Sequence, residues 1–363
     1  MKIHSLFLAL LFLLPAIGNA SEPSRGIFIW SFEEKPVLSS ETKIHEAIVF
    51  AKQHGIKTIF VQVYRSNKSW FASKVADATP FYECLKSVGQ DPLSLLIKEA
   101  HRQDINVHAW LNMMSLGGNK DARILKKYGP GILTRNVQKK RRLEDYKIDN
   151  QFFLEPSDPR VHQELLTIVG ELLHTYPTLD GIQFDYIRYP DVHPFYGYSP
   201  DNIRRFKKEL GVKQIVEENP AWKQWKRDAV THLLEDLVVK VRLISPRIHI
   251  STTGSLAYTR AYEEALQDWP SWVNHDLVEF VTLMNYPPDA ATFAKNIIEI
   301  KPHVKGFSKV NVAVGTYKPD QTEQDFKAQW EYCELSEARA CVVFHYDSLI
   351  QKPALSEFLK KSQ

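Results

Sequence analysis

The sequence predicts a closed (β/α)8 TIM barrel, and three observations carry that expectation. Short runs rich in β-branched and aromatic residues recur at 27–30, 58–63, 106–111, 181–187, 248–253, 280–284, 310–314 and 341–344. They are continuous rather than alternating, as strands covered on both faces of a parallel sheet should be. Helical stretches lie between them, and strand-then-helix repeated about eight times is the pattern of the barrel. The alternative, a doubly wound open sheet, would want a glycine-rich turn after its first strand, and none follows residue 30.

The chain opens with Lys2, an apolar run from Leu6 to Leu14, Pro15, and small residues at Gly18 and Ala20. This reads as a secretory signal peptide over 1–20, with the mature chain starting at Ser21 and destined for the periplasm or the medium. The apolar run is shorter than the roughly 20 residues a bilayer span needs, and no later segment has the character of a span. Residues 21–363 are read as one barrel domain, because no linker, repeat or low-complexity tract divides them.

Helix stripes follow three- and four-residue spacing. Ile44, Ala47, Ile48 and Ala51 form one; Val161, Leu165, Ile168, Val169 and Leu172 form another. Asp91-Pro92, Asp158-Pro159, Ser199-Pro200 and Asn219-Pro220 each set a capping side chain before a proline, whose missing N–H does no harm at a helix start. Two connections are long. A basic insertion, 113–153, follows strand three and carries Lys139, Lys140, Arg141 and Arg142. The second, 189–222, follows strand four and carries Tyr196 and Tyr198. Both leave the strand C-termini, the face where barrel enzymes keep their active sites.

A net charge of +3 is too small to imply a nucleic-acid partner, and 12% aromatic residues suit both a large core and sugar stacking. Cys84, Cys333 and Cys341 form neither a disulfide framework nor a zinc signature, although Cys333 and Cys341 are close enough in sequence to pair. The histidines, His108 and His345 among them, lack metal-ligand spacing, so neither metal nor cofactor is expected.

The densest segment is 179–190. Strand alternation puts Gly181, Gln183 and Asp185 on one face and Ile182, Phe184 and Tyr186 on the other. The apolar set suits the helix layer, so Asp185 should point into the barrel near its C-terminal mouth, with Arg188 placed to hold it ionised. Other strand ends are polar or aromatic in the same way: Trp30; Gln62, Tyr64 and Arg65; Trp110 and Asn112; Asn285 and Tyr286; Tyr317; His345 and Tyr346. Aromatic faces stack on sugar rings, and Asn, Gln and Arg give fixed donors to hydroxyls. Together with Tyr186 and Arg188 these are the expected substrate-binding residues. Glycoside hydrolysis needs two carboxyl groups. Asp185 is the first; Asp268 and Glu155 are the candidates for the second.

The segments quoted so far, taken in order, resemble the glycosyl-hydrolase-like 10 family of bacterial barrel proteins. The resemblance runs from Arg25-Gly26-Ile27-Phe28-Ile29-Trp30 through Phe60-Val61-Gln62-Val63-Tyr64-Arg65 and Val107-His108-Ala109-Trp110-Leu111-Asn112. It continues at Leu154-Glu155-Pro156-Ser157-Asp158-Pro159, Gly181-Ile182-Gln183-Phe184-Asp185, Gln267-Asp268-Trp269 and Thr282-Leu283-Met284-Asn285-Tyr286. It implies hydrolysis of a bacterial polysaccharide, including peptidoglycan glycan strands stripped of stem peptides, and matches the family's aspartates to Asp185 and Asp268. The family often has Asp-Asp where this chain has Asp185-Tyr186, and Asp where it has Glu155. A chitinase-like mechanism is set aside, because Ile187 stands where that pattern ends in glutamate. The alternative function is a carbohydrate-binding barrel without catalysis.

Overall fold

The computed structural model describes residues 23–32, 34–136, 143–192, 196–215 and 219–361. The segment 1–20 and the run Lys139, Lys140, Arg141 and Arg142 therefore lie outside the described residues. Eight strands form the barrel: β1 (Ser24–Ile29), β2 (Ile56–Arg65), β3 (Asn106–Asn112), β4 (Gly181–Asp185), β5 (His249–Gly254), β6 (Phe280–Asn285), β7 (Val310–Gly315) and β8 (Ala340–Phe344). Each pairs in parallel with the next, and β1 pairs with both β2 and β8, which closes the sheet. All eight fall on the runs that the sequence marks.

Helices cover the outside because every strand presents an apolar face there. The Glu41–Gln53 helix buries Ile44, Ala47, Ile48 and Ala51, and the Pro159–Thr175 helix buries the stripe from Val161 to Leu172. All four cap-proline pairs start helices, with Asp91, Asp158, Ser199 and Asn219 each accepting a hydrogen bond from a first-turn N–H. Each such cap contributes about 1 kcal/mol.

The barrel interior splits into an aromatic and a polar part. Phe28, Phe60, Trp110, Phe280 and Val342 pack together inside it. Gln183, buried on β4, accepts hydrogen bonds through its amide oxygen from Ser251 (3.3 Å) and Thr282 (3.0 Å), while its Nε2 has no partner among the described residues. Gly181 is glycine for space, since a Cβ there would lie 2.2 Å from the His108 ring.

The described parts of the two long connections carry short elements of their own. In the first, Ser115–Gly117 pairs antiparallel with Phe152–Phe153, beside the short Arg123–Tyr128 helix. The second is pinned by Tyr198, Phe206 and Trp222 packing as a separate cluster. Burying each such ring contributes about 1.5–3 kcal/mol. A disulfide joins Cys333, on the Glu323–Leu335 helix, to Cys341 on β8; Cys84 is a buried free thiol. Among the described residues no helix is long and apolar enough to cross a membrane.

Candidate active-site cleft

A cleft of about 560 Å³ opens at the C-terminal ends of the strands. Its walls include Trp30, Gln62, Arg65, Trp110, Asn112, Asp185, Tyr186, Arg188 and Tyr286, which places most of the expected binding residues in one cavity.

Asp185 ends β4 and is buried at the cleft floor. One carboxylate oxygen accepts from the Thr253 hydroxyl and from the Tyr186 backbone N–H (2.8 Å); the other accepts from the Trp110 indole N–H at 3.0 Å. Burial pushes its carboxyl above the usual carboxylate range, against the pull of Thr253, Trp110, Arg188 and the Tyr186 N–H. The result is an oriented carboxylate, more basic than one in water, standing among aromatic rings.

Polar atoms without partners lie beside the same space. Trp30 Nε1, Gln62 Nε2, Asn112 Oδ1, Arg188 Nε and His345 Nδ1 are buried and have no hydrogen-bond partner among the described residues. All five residues line this cleft. Buried polar groups are ordinarily satisfied; each of these atoms is itself covered by protein, so they mark unsatisfied polarity beside the cleft and not donors open to it.

Three expectations are corrected here. Tyr186 does not face the helices: strand pairing ends at Asp185, the backbone of Tyr186 turns to φ 58°, and its ring enters the cleft beneath Arg188 (4.5 Å). Arg188 does not hydrogen-bond Asp185. It binds Asp191 at 3.0 Å and acts on Asp185 by charge alone. Tyr64 and Asn285 do not line the cleft. A register slip between Gln62 and Tyr64 turns Tyr64 into the outer core, and Asn285 bonds the Phe293 carbonyl and Asn296 behind the sheet.

Neither expected second acid reaches the cleft wall. Glu155 is buried beneath the second long connection, where it accepts from the Tyr189 hydroxyl. Burial raises its pKa, opposed by Tyr189, Asn202, Thr134 and the charge of Lys226. Asp268 is the N-cap of the Trp269–Asn274 helix and accepts from the Ser271 N–H. Its neighbour Gln267 is the strut, fully buried and bonded to Ser255, Ile187 and Thr253.

Sequence reasoning missed Asp191 and Arg260, which also line the cleft. Asp191 is bound by Arg188 (3.0 Å) and Arg260 (3.2 Å). Burial alone would raise its pKa, but the two guanidiniums hold it below the usual range. No periodic signal marks either residue: Asp191 sits in a loop and Arg260 on the short Tyr258–Glu263 helix. Among the described residues no group of three or more His, Cys, Asp or Glu is placed to hold a metal ion.

Fold and cleft together describe a barrel of the glycoside-hydrolase type. The chain belongs to the glycosyl hydrolase-like 10 family, whose sequence model matches residues 23–324. Among curated proteins it is similar to glycosyl hydrolase DigH of Escherichia coli (strain K12), 22% identical over 313 residues, covering 76% of this chain and 68% of that one. It is also similar to glycosyl hydrolase YngK of Bacillus subtilis (strain 168), 21% identical over 307 residues, covering 75% of this chain and 56% of that one. Among solved structures it resembles the catalytic domain of the Paenibacillus polymyxa β-amylase, with a TM-score of 0.61 at 10% identity, covering 94% of this chain and 98% of that one. It likewise resembles the Lactobacillus brevis α-galactosidase, with a TM-score of 0.58 at 13% identity, covering 94% of this chain; the chain spans 40% of that protein's length. At these identities the structural likeness shows the fold.

Proposed function

We propose that the chain hydrolyses glycosidic bonds in a bacterial polysaccharide, with Asp185 acting as a carboxylate at the anomeric carbon. The observation that carries this is the convergence of an oriented, buried carboxylate with polar and aromatic side chains in one cleft. A sugar ring lying against Trp30 and Tyr286 would offer hydroxyls to Gln62 and Asn112. Its anomeric carbon would develop positive charge over Asp185, where a basic, preorganised anion lowers the barrier. Peptidoglycan glycan strands are the substrate we favour, on family membership. Export to the periplasm or medium belongs with this proposal and fits the Cys333–Cys341 bond, since disulfides persist in oxidising compartments.

One observation favours a second reading, a carbohydrate-binding barrel without turnover. Of the two carboxylates lining the described cleft, Asp191 is tied up by two arginines. Incubating the protein with bacterial wall glycans, with and without stem peptides, and reading products by mass spectrometry separates the two. New reducing ends support hydrolysis; retention of glycan without cleavage supports the binding barrel.

A further inference from the structure

Three arginines line the cleft, and two of them share one acid. Arg188 and Arg260 both bind Asp191. Arg65, at the end of β2, has no ion pair and no hydrogen-bond acceptor among the described residues. Its guanidinium lies instead over the rings of Trp30 and Phe32, 4.7 and 4.4 Å from their centroids. Neither contact involves a hydrogen-bond acceptor, so the guanidinium's N–H donors keep no partner among the described residues.

The backbone puts it there. The same register slip that turns Tyr64 outward delivers Arg65 to the cleft side. Phe32, 58% exposed, stands beside it. Three guanidiniums face two carboxylates, so the lining carries a surplus positive charge, and it resides on Arg65. A planar fork with free in-plane donors matches a carboxylate through two parallel N–H···O bonds.

We propose that Arg65 reads a carboxylate on the glycan, pairing with an acidic sugar unit whose ring lies along Phe32 and Trp30. This rests on the reading of the cleft as a glycan site and adds the chemical class of what it selects. The carboxylate can belong to C6 of a hexuronic acid or to an ether side chain of muramic-acid type. Both present the same charged fork to Arg65.

Calorimetric binding by the full chain tests it with two probes, a hexuronate oligosaccharide and a muramate-containing one, each beside its carboxyl-reduced alcohol. The protein should bind one acidic probe about 10- to 100-fold more tightly than its reduced form, and the probe that does so identifies the source. Arg65→Gln should erase that preference, bringing the acidic probe and its reduced form to within about twofold of each other. Arg65→Lys, which keeps charge but not the fork, should retain part of it. Equal affinity for acidic and reduced probes, or a preference surviving in Arg65→Gln, overturns the assignment of Arg65 and leaves the glycan site standing. Equal loss for both forms in Arg65→Gln also overturns it, making Arg65 a support for Asp185 or the aromatic wall. Failure of every oligosaccharide to bind defeats the glycan reading itself.

Discussion

Removing one hydroxyl should move the pH profile of the proposed glycan cleavage. Asp185 accepts three hydrogen bonds, from Thr253, the Tyr186 N–H and Trp110. Thr253→Val deletes the first and keeps the branched shape beside β4. A hydrogen bond to a charged group contributes about 1.5–3 kcal/mol, and about 1.36 kcal/mol moves a pKa by one. The lost donor stabilised the ionised form, so the Asp185 pKa, already raised by burial, should rise by about one to two more. If Asp185 acts as a carboxylate, the acid limb of kcat/KM shifts upward by that amount, and the rate recovers above the new limb. The assay is kcat/KM across pH on a cleavable glycan, for the parent protein and Thr253→Val. Movement of the alkaline limb instead would mean that Asp185 works protonated. Two superimposable profiles would refute the reasoning about its hydrogen bonds.

Glu155→Gln should act on stability rather than on turnover. It weakens the Tyr189 contact and removes the negative charge facing buried Lys226, whose pKa burial brings down to about 7 while Glu155 opposes the fall. Burial holds the Glu155 carboxyl above its unfolded value, so its charge costs stability as pH rises past that value. Glu155→Gln should therefore unfold at an equal or higher urea concentration than the parent at neutral pH, with the difference shrinking as pH falls. Replacing Cys333 and Cys341 together by alanine should cost up to about 2.5 kcal/mol by loop entropy for a separation of 8 residues, and thiol titration of the unfolded, unreduced parent should find Cys84 alone. N-terminal sequencing of the exported protein should begin at Ser21; a mature soluble protein that keeps Met1 would end the export proposal.

Much of the barrel was legible because its signal is local. Buried parallel strands need continuous β-branched runs, and proline after a capping residue needs only two positions to be read. Asp185 was legible for the same reason: two-residue alternation holds wherever strand pairing holds. That alternation failed at the strand ends. At the end of β6 the Asn285 side chain is held behind the sheet by Phe293 and Asn296, and Tyr286 is the one that lines the cleft. At β2 a bulge reversed the parity, sending Tyr64 out and Arg65 in. Asp191, in a loop, and Arg260, on the Tyr258–Glu263 helix, are separated by 69 residues, and nothing periodic announces a meeting of that kind. Glu155 and Asp268 looked alike in sequence as loop acids, but a buried hydroxyl partner and a helix N-cap account for them.

Asp185→Asn tests the central claim most directly. The amide keeps the shape and removes the charge, and a carboxyl held above its unfolded pKa costs stability once pH rises past that unfolded value. The variant should therefore unfold at an equal or higher urea concentration than the parent at neutral pH, which confirms the fold is kept. Its turnover of wall glycan should fall by roughly 10,000-fold, while affinity for the same glycan changes little. A folded Asp185→Asn protein that cleaves glycan at near the parent rate would contradict the account and move the chemistry away from this cleft.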